Sequence, residues 1–192
     1  MIELIPDSYV ESLDLLTIFG RAAPLNVDLG CGDGAFLSEL AQRCPTKNFI
    51  GIDKLAGRVA KTCRKAAALE NVRVLNVEIS YAVRYLFPEE SVETFYLLFP
   101  DPWPKRRHHR RRLVTKDFLD SIHRALVEGG YFFIATDQLD YFQQIEGVAA
   151  SDTRFSKTDV EDSLPVTKFE RRFLEHEAPI YRLSLRKTSP LR

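Results

Sequence analysis

The feature that most restricts the fold of this chain is the alternation of short apolar runs with segments of helical periodicity. Five apolar runs have the length and composition of buried strands, and a helical segment follows each of them. That order predicts an α/β fold, in which a mostly parallel sheet carries helices on both faces. The predicted strands are residues 25–29, 48–53, 71–77, 93–99 and 131–136.

Helix signals occupy the segments between and around these strands. The spacing of apolar residues over 8–19 predicts an N-terminal helix that ends at Gly20. Thr115 is a good N-cap for a helix that runs to about Leu126 and is ended by the Gly129-Gly130 pair. Further helices are predicted over residues 35–41, 55–69, 80–86 and 138–148.

Length and composition fit one globular domain. The 192 residues are 45% hydrophobic and 28% charged, and neither a repeat nor a linker divides them. We therefore expect a single domain over residues 1–192, with an N-terminal helix within 1–20 and a loop rich in proline and basic residues over 100–114. Alternation over 180–185 predicts a final strand, which we expect to be antiparallel.

Cysteine spacing and hydropathy exclude several classes of protein. The three cysteines, Cys31, Cys44 and Cys63, form no metal-binding or disulfide pattern, so we expect no metal. The N-terminus lacks the features of a signal peptide, and no apolar run approaches the ~18 residues of a membrane span. These observations predict a cytoplasmic protein that does not contact a membrane.

Unusual residues collect where the predicted strands end. Ligands of parallel sheets bind outside the carboxyl ends of the strands, so function is expected there. The sequence 28–34 joins the first strand to a helix and has the form Asp-x-Gly-x-Gly-x-Gly. Asp53 ends the second strand, 19 residues beyond Gly34, where an acid can accept hydrogen bonds from two ribose hydroxyls. The alternative is a turn that needs glycine only for its shape.

Together these residues resemble motif I and the following acidic position of class I S-adenosylmethionine methyltransferases. The resemblance implies a Rossmann-like methyltransferase domain. It also implies that Glu78, at the end of the third strand, lies near the adenine of the cofactor; the alternative is a solvated strand end. The implied cofactor-binding residues are Asp28, Gly30, Gly32, Gly34, Asp53 and Glu78, and the resemblance of residues 99–113 to a narrower family adds Asp101.

The fourth strand is followed by Pro100-Asp-Pro-Trp-Pro104, a segment that prolines make stiff. Trp103 offers a flat surface on which a nucleobase can stack, and Asp101 can accept hydrogen bonds from base N–H groups. The alternatives are a packing role for Trp103 and a turn-forming role for Asp101.

Residues 105–112 form a basic run of six Lys or Arg and two His. The chain has zero net charge, yet residues 101–112 carry a net charge of +5, which suits contact with RNA phosphates. A charge run of this kind is also typical of a solvated surface.

The segment from Phe99 to Leu113 resembles the signature of bacterial tRNA (guanine-N7)-methyltransferases, and residues 135–137, 166–171 and 179–181 resemble further segments of that family. The resemblance implies transfer of the methyl group of S-adenosylmethionine to N7 of guanine 46 in the tRNA variable loop, with Asp101 as the catalytic residue. The expected substrate contacts are Trp103, Lys105, Arg110, Arg111, Arg112, Asp137, Thr167, Lys168, Phe169 and Glu170. For Asp137 the alternative is a helix cap, and for Glu170 a surface ion pair.

Guanine N7 already carries a lone pair, so the reaction needs alignment and electrostatics rather than a general base. The family often has a basic N-terminal extension, whereas residues 1–19 here carry four acids and no Lys or Arg. We expect tRNA as partner, no obligate protein partner, and a monomer or homodimer.

Two other functions stay open from the sequence. Asp101-Pro-Trp-Pro104 is a near neighbour of the motif of DNA methyltransferases that modify exocyclic amines, although Trp103 separates the two prolines. A non-catalytic RNA-binding module on the same scaffold is the second alternative.

Overall fold

The computed structural model describes residues 2–159 and 164–188. Within them, eight strands form one sheet in the order β1-β4-β3-β2-β5-β6-β8-β7. The strands are β1 Glu3–Leu4, β2 Leu25–Leu29, β3 Asn48–Ile52, β4 Val72–Leu75, β5 Val92–Leu98, β6 Leu126–Thr136, β7 Phe155–Thr158 and β8 Tyr181–Lys187. Strands β1 to β6 pair in parallel, while β8 pairs antiparallel with both β6 and β7. The predicted parallel sheet and its antiparallel final strand are both confirmed.

Seven α-helices accompany the strands within residues 2–159 and 164–188. They are α1 Leu15–Phe19, α2 Ala35–Arg43, α3 Ala56–Lys65, α4 Ile79–Tyr81, α5 Lys116–Ala125, α6 Leu139–Ala150 and α7 Lys168–Glu175. A π-helical turn, Ala82–Leu86, continues α4, and a 3₁₀ helix, Arg106–Arg111, contains most of the basic run. No helix among the described residues combines the length and apolar character that a membrane crossing requires.

The sheet is buried on both faces because its side chains alternate between two apolar clusters. Along β5, Phe95 and Leu97 belong to the cluster that contains residues of α5 and α6, whereas Tyr96 belongs to the cluster under α2 and α3. Along β3, Phe49 and Ile50 divide in the same way. This arrangement explains why the central strands are nearly continuous apolar runs.

The N-terminal helix is shorter than predicted. It begins at Leu15 because the side chain of Asp14 accepts hydrogen bonds from the backbone N–H and hydroxyl of Thr17, which caps the helix. It ends at Gly20, as predicted, and that glycine adopts the left-handed conformation with φ 67°. The apolar residues before Asp14 therefore lie outside the helix.

The prediction that Gly129 and Gly130 end the helix α5 is wrong. The helix begins after its predicted cap, Thr115, but ends at Ala125, and β6 continues through both glycines. The register of β5 against β6 shifts between Val92 and Thr94, and the glycines lie in this irregular stretch. A Cβ on Gly130 would approach two backbone oxygens to 2.9 Å, so the glycines permit a strand irregularity rather than a helix end.

The order of the strands places a crevice at one edge of the sheet. β2 lies between β3 and β5. The chain places β3 and β4 on one side of β2 and then crosses to the other side to form β5 and β6, so the strand order reverses between β2 and β5. Crevices at such reversals are the usual ligand sites of open α/β sheets. The segments that follow β2, β3, β4 and β5 meet at this edge.

Candidate active site

Two adjoining clefts open at the carboxyl ends of the strands. The larger has a volume of about 860 Å³ and includes Asp28, the glycine loop and the start of α7. The smaller has a volume of about 330 Å³ and includes Asp53 and Glu78. Asp101 belongs to the lining of both clefts, together with Gly30 and Phe99. Most of the residues expected to bind cofactor therefore lie around one continuous depression.

The glycine loop uses its glycines in two ways. Gly30, Gly32 and Gly34 all have positive φ values, of 89°, 58° and 74°. A Cβ on Gly34 would lie 2.4 Å from the Thr62 side chain, so this glycine is required for packing, and it does not line either cleft. A Cβ on Gly32 would meet only the Gly30 carbonyl, at 3.9 Å, so the backbone there remains accessible from the cleft.

Asp53 is held in place by the glycine loop. Its carboxylate accepts hydrogen bonds from the backbone N–H of Gly32 at 3.2 Å and of Leu55 at 2.9 Å. The Arg58 guanidinium lies 3.5 Å away, and the Asp53 side chain is only 4% exposed. These contacts orient the carboxylate at the end of β3, where ribose hydroxyls were expected.

Asp28 is a buried acid on the floor of the larger cleft. Burial, together with the charge of Asp53, raises its pKa from the ordinary value of 3.8 to about 7. Burial and the charge of Asp28 also raise the pKa of the Cys31 thiol. A cation bound in this cleft would stabilise the ionised form of Asp28.

Glu78 caps a helix at the rim of the smaller cleft. Its carboxylate accepts hydrogen bonds from the backbone N–H of Tyr81 at 2.9 Å and from the Ser80 hydroxyl at 2.5 Å. The side chain is exposed and lies beside Ile79 in the cleft lining. Glu78 is therefore a helix N-cap as well as an acceptor that faces the cleft.

The loop after β5 holds Asp101 between two residues of unusual conformation. Phe99 and Trp103 have positive φ values of 55° and 44°, which aromatic residues adopt only under strain. Asp101 is exposed, whereas Trp103 is half-buried. The Arg111 guanidinium lies over the indole ring at 4.8 Å, and the His108 ring meets it edge-on at 5.8 Å. A base that stacks on Trp103 must use the opposite face or displace Arg111.

The basic run divides into exposed and buried residues. Lys105, Arg110 and Arg111 are exposed, as are Arg106 and Arg107. Arg112 is only 3% exposed, and its guanidinium makes hydrogen bonds to protein groups on three sides. The environment of Arg112 does not suit the phosphate contact that the sequence predicted for it.

The segment 167–170 opens helix α7 with a capping box. The Thr167 hydroxyl accepts a hydrogen bond from the backbone N–H of Glu170, whose carboxylate accepts one from the backbone N–H of Thr167. Glu170 also pairs with Arg182 of β8. Thr-x-x-Glu is the sequence pattern of this motif, so the cap was readable from the sequence but was missed.

Three expected substrate contacts differ in how they face the cleft. Phe169 is 58% exposed, lines the larger cleft and lies 6.3 Å from the Phe99 ring. Lys168 begins α7, but its side chain lies outside the described part of the structure. Asp137 follows β6, accepts a hydrogen bond from the Gln138 side chain and is absent from the described lining of both clefts. The N-cap of α6 is Gln138, so the alternative role of Asp137 as a cap is not seen.

Sequence reasoning missed four cations on the larger cleft. Arg58 and Lys61 come from α3, and Arg171 and Arg172 come from α7. The sequence signal for Arg58 and Lys61 is their i, i+3 spacing in the helix predicted after Asp53, which places both side chains on one helix face. These residues bring positive charge to the lining of the larger cleft, which Asp101 also lines.

A family model described as "Putative methyltransferase" matches residues 22–183 of the chain. Several curated relatives carry the name tRNA (guanine-N(7)-)-methyltransferase. The protein of Halorhodospira halophila is 38% identical over 183 residues, which cover 91% of this chain and 79% of the relative. The protein of Nitrosomonas europaea is 38% identical over 174 residues, which cover 84% and 75% of the two chains.

Solved structures support the same fold at low sequence identity. The 16S rRNA methyltransferase KamB superposes with a TM-score of 0.69 at 18% identity, and the match covers 93% of this chain and 95% of KamB. The antibiotic-resistance methyltransferase Kmr gives a TM-score of 0.64 at 17% identity, with 97% and 96% coverage. These likenesses establish the class I methyltransferase architecture.

Proposed function

Because the chain belongs to the tRNA (guanine-N7)-methyltransferase family, we propose that it transfers the methyl group of S-adenosylmethionine to N7 of a guanine in tRNA. The observation that carries this proposal is the position of Asp101. Its carboxylate stands where the cleft with Asp53 and Glu78 meets the cleft with Thr167 and Phe169. A group at that junction can orient a base toward the methyl donor.

The residues of the smaller cleft fit the adenosine part of S-adenosylmethionine. Asp53 is oriented at the end of β3 to accept hydrogen bonds from ribose hydroxyls, and Glu78 lies at the rim where adenine N–H groups would point. In the larger cleft, Gly32 leaves its backbone accessible, and the buried Asp28 suits a nearby positive charge. When bound, the cofactor supplies an electrophilic methyl group on a sulfonium.

Asp101 performs the orienting step. Guanine presents N1–H and N2–H on one edge, and a carboxylate that accepts both leaves N7 on the other edge free to attack. The N7–C bond forms as the C–S bond breaks, and no proton has to be removed from N7 first. The role of Asp101 is thus alignment and an increase in the electron density of the ring.

The exposed cations of the basic run supply the contacts to tRNA phosphates. Five of the six Lys or Arg residues over 105–112 are exposed, and Arg111 among them lines the smaller cleft. Each phosphate contact makes binding weaker as salt rises. Trp103 and Phe169 add aromatic surface for stacking at the same place.

The finer features belong to the same proposal. The target is position 46 of the variable loop, the reaction takes place in the cytoplasm, and the enzyme acts as a monomer or homodimer without an obligate protein partner. No metal takes part, because the alignment of a lone pair with a sulfonium methyl needs no Lewis acid. A single domain over residues 1–192 carries the activity.

The test is methyl transfer from labelled S-adenosylmethionine to unmodified tRNA and to duplex DNA, followed by chemical cleavage of the tRNA at 7-methylguanine. We expect label in tRNA and one cleavage site, at position 46. Label confined to DNA would support an exocyclic-amine DNA methyltransferase instead. Tight tRNA binding without any transfer would support a non-catalytic RNA-binding module.

A further inference from the structure

Arg112 differs from its neighbours in the basic run by its burial. Its side chain is 2% exposed, although the five other Lys or Arg residues of the run are exposed. A buried guanidinium is costly unless its donors are satisfied by hydrogen bonds. Arg112 meets this requirement with three acceptors, so its position in the protein is fixed from several directions.

The three acceptors link the substrate loop to helix α6. Arg112 donates through Nε to the carbonyl of Pro102 at 2.9 Å and through Nη1 to Gln144 Oε1 at 2.8 Å. Its Nη2 donates to Asp140, whose pKa this hydrogen bond lowers. The guanidinium also lies over the Tyr141 ring at 4.8 Å. A guanidinium can donate in several directions within one plane and stack on an aromatic ring, and the ammonium group of lysine cannot reproduce this set of contacts.

The same turn of α6 also holds the far end of the loop. The Tyr141 hydroxyl accepts hydrogen bonds from the backbone N–H of Leu113 at 3.1 Å and of Val114 at 3.2 Å. Tyr141 is fully buried, so this anchor is rigid. Helix α6 therefore holds Arg112, which binds the Pro102 carbonyl directly after Asp101, and it holds the chain again where the loop returns to α5.

Asp101 needs such support because its own carboxylate makes no hydrogen bond or ion pair with residues 2–159 or 164–188. The position of its carboxylate depends on the backbone, which adopts left-handed conformations at Phe99 and Trp103. Strained conformations of this kind persist only where surrounding contacts hold them. The Arg112 hydrogen bond to the Pro102 carbonyl is a contact of that kind, one peptide beyond Asp101.

Resting on the function proposed above, we infer that Arg112 is a positioning residue and does not contact tRNA. Together with Asp140, Tyr141 and Gln144 of α6, it holds the Pro100-Asp-Pro-Trp-Pro104 loop so that Asp101 points into the cleft. The last arginine of a run that looks like an RNA contact thus acts through Asp101. Its loss lowers the turnover number and leaves phosphate contacts in place.

The chain carries its own reporter for this inference, because Trp103 is its single tryptophan and lies in the loop. We would compare wild type with Arg112→Lys, which keeps the charge, and with Gln144→Leu, which removes one acceptor outside the loop. The measurements are Trp103 emission and anisotropy, cofactor affinity, kcat and KM for tRNA, and the salt dependence of tRNA binding. Arg110→Met, an exposed neighbour in the same run, is the matched control.

For Arg112→Lys we expect kcat to fall 10- to 100-fold, since small displacements of an aligning group have effects of that order. Trp103 emission should change, whereas cofactor affinity, KM for tRNA and the salt slope should stay within about twofold of wild type. Gln144→Leu should give a smaller fall in kcat with the same change in Trp103 emission. Arg110→Met should show the reverse pattern, with weaker tRNA binding, a shallower salt slope and unchanged Trp103 emission.

Two results would overturn the inference. One is weaker tRNA binding with a shallower salt slope in Arg112→Lys at unchanged kcat, which marks a phosphate contact. The other is a Gln144→Leu protein with unchanged Trp103 emission and unchanged kcat. If Arg112→Lys no longer binds the cofactor, the result for Gln144→Leu alone tests whether Arg112 supports the loop. Trp103 emission can be measured without turnover. If the wild-type protein does not methylate tRNA but the variants still change Trp103 emission, the proposed function fails while the support of the loop by Arg112 stands.

Discussion

The carboxylate of Asp101 illustrates how single residues define this site. It stands at the junction of two clefts, and strained residues on both sides of it fix the backbone. The sequence predicted its importance from the Pro-Asp-Pro-Trp-Pro pattern, because an acid in a stiff loop at a strand end is suited to bind a ligand. What the sequence did not contain is the set of contacts that aim the side chain.

Replacement of Asp101 by alanine should abolish most activity and leave the cofactor site intact. Two hydrogen bonds from guanine to a carboxylate contribute about 3 kcal/mol or more together, so we expect kcat/KM for tRNA to fall at least ~100-fold. The affinity for S-adenosylmethionine, measured by calorimetry, should change less than about threefold, because Asp53, Glu78 and the glycine loop remain.

Asp101→Asn is the matched variant for this prediction. The amide keeps the size of the side chain but can accept with only one oxygen and has no charge, so it should be nearly as inactive as alanine. An alanine variant with wild-type turnover would contradict the assigned role of Asp101.

A second prediction at this scale concerns Asp28 and pH. Its pKa in the folded protein is about 7, above the unfolded value of 3.8, so the native state holds one more proton between these values. The free energy of unfolding therefore loses a contribution as pH rises from about 4 through 7, on the order of 4 kcal/mol in total. Asp28→Asn cannot ionise and should lack this loss.

Urea denaturation of both proteins between pH 4.5 and 8.5 would check this prediction. The difference in unfolding free energy, variant minus wild type, should increase with pH and level off above pH 8. The charged or titratable groups that face Asp28 are Asp53 and Cys31, and both remain in the variant. Stability curves that stay parallel across the range would refute a raised pKa of Asp28.

At the scale of elements, local sequence signals predicted which helices and strands exist better than they predicted where those elements begin and end. The caps at Gly20 and Thr115 lie where the sequence placed them, because a cap depends on a few neighbouring residues. The end of α5 was misplaced because the Gly129-Gly130 pair serves a strand irregularity that depends on β5. Strand β7 and helix α7 were not predicted at all, since both lie in a stretch of weak periodicity.

The loop between β2 and α2 allows a test in which two glycines are compared. Gly34→Ala adds a Cβ at 2.4 Å from Thr62 and requires a left-handed φ, so it should lower the free energy of unfolding by about 3 kcal/mol. Cofactor affinity should fall as the loop is displaced. Thermal and urea denaturation, with calorimetric titration of the cofactor, would measure both effects.

Gly57→Ala is the control for this comparison. Gly57 lies in α3, and an added Cβ there meets no atom within 4 Å. Alanine favours the helix, so stability should rise by about 0.5 kcal/mol. Equal effects at positions 34 and 57 would argue against close packing of the loop on Thr62.

At the scale of the whole molecule, charge is distributed unevenly although the net charge is zero. Five cations of the basic run are exposed, and one of them, Arg111, lines the smaller cleft, while four more cations from α3 and α7 line the larger cleft. The buried acids Asp28 and Asp53 line the same two clefts. A polyanion can therefore contact the exposed cations while the cofactor meets the buried acids.

Salt dependence should report the phosphate contacts. The double variant Arg106→Gln/Arg110→Gln removes two exposed cations, so the log–log slope of tRNA affinity against salt should become shallower by about 1.5. Filter binding or fluorescence anisotropy between about 50 and 300 mM salt would measure the slope. Turnover at saturating tRNA should change far less than affinity.

Lys157→Gln serves as the control for this measurement. Lys157 lies on the edge strand β7 and pairs with Glu146, away from both clefts. Its replacement should leave the slope unchanged. If the two proteins give the same slope, the basic run does not contact phosphates.

The sequence by itself determined the α/β order of elements, the glycine loop with its acidic partner and the position of the Pro-Asp-Pro-Trp-Pro loop, because backbone conformation and strand ends follow from neighbouring residues. Only the tertiary structure decided which of several similar arginine side chains are exposed and which is buried. Arg110, Arg111 and Arg112 are identical in type and adjacent, yet one is exposed, one covers Trp103 and one is buried against α6. The contacts that bury Arg112 come from residues of α6 28 to 32 positions away, and packing between distant elements cannot be read from local pattern.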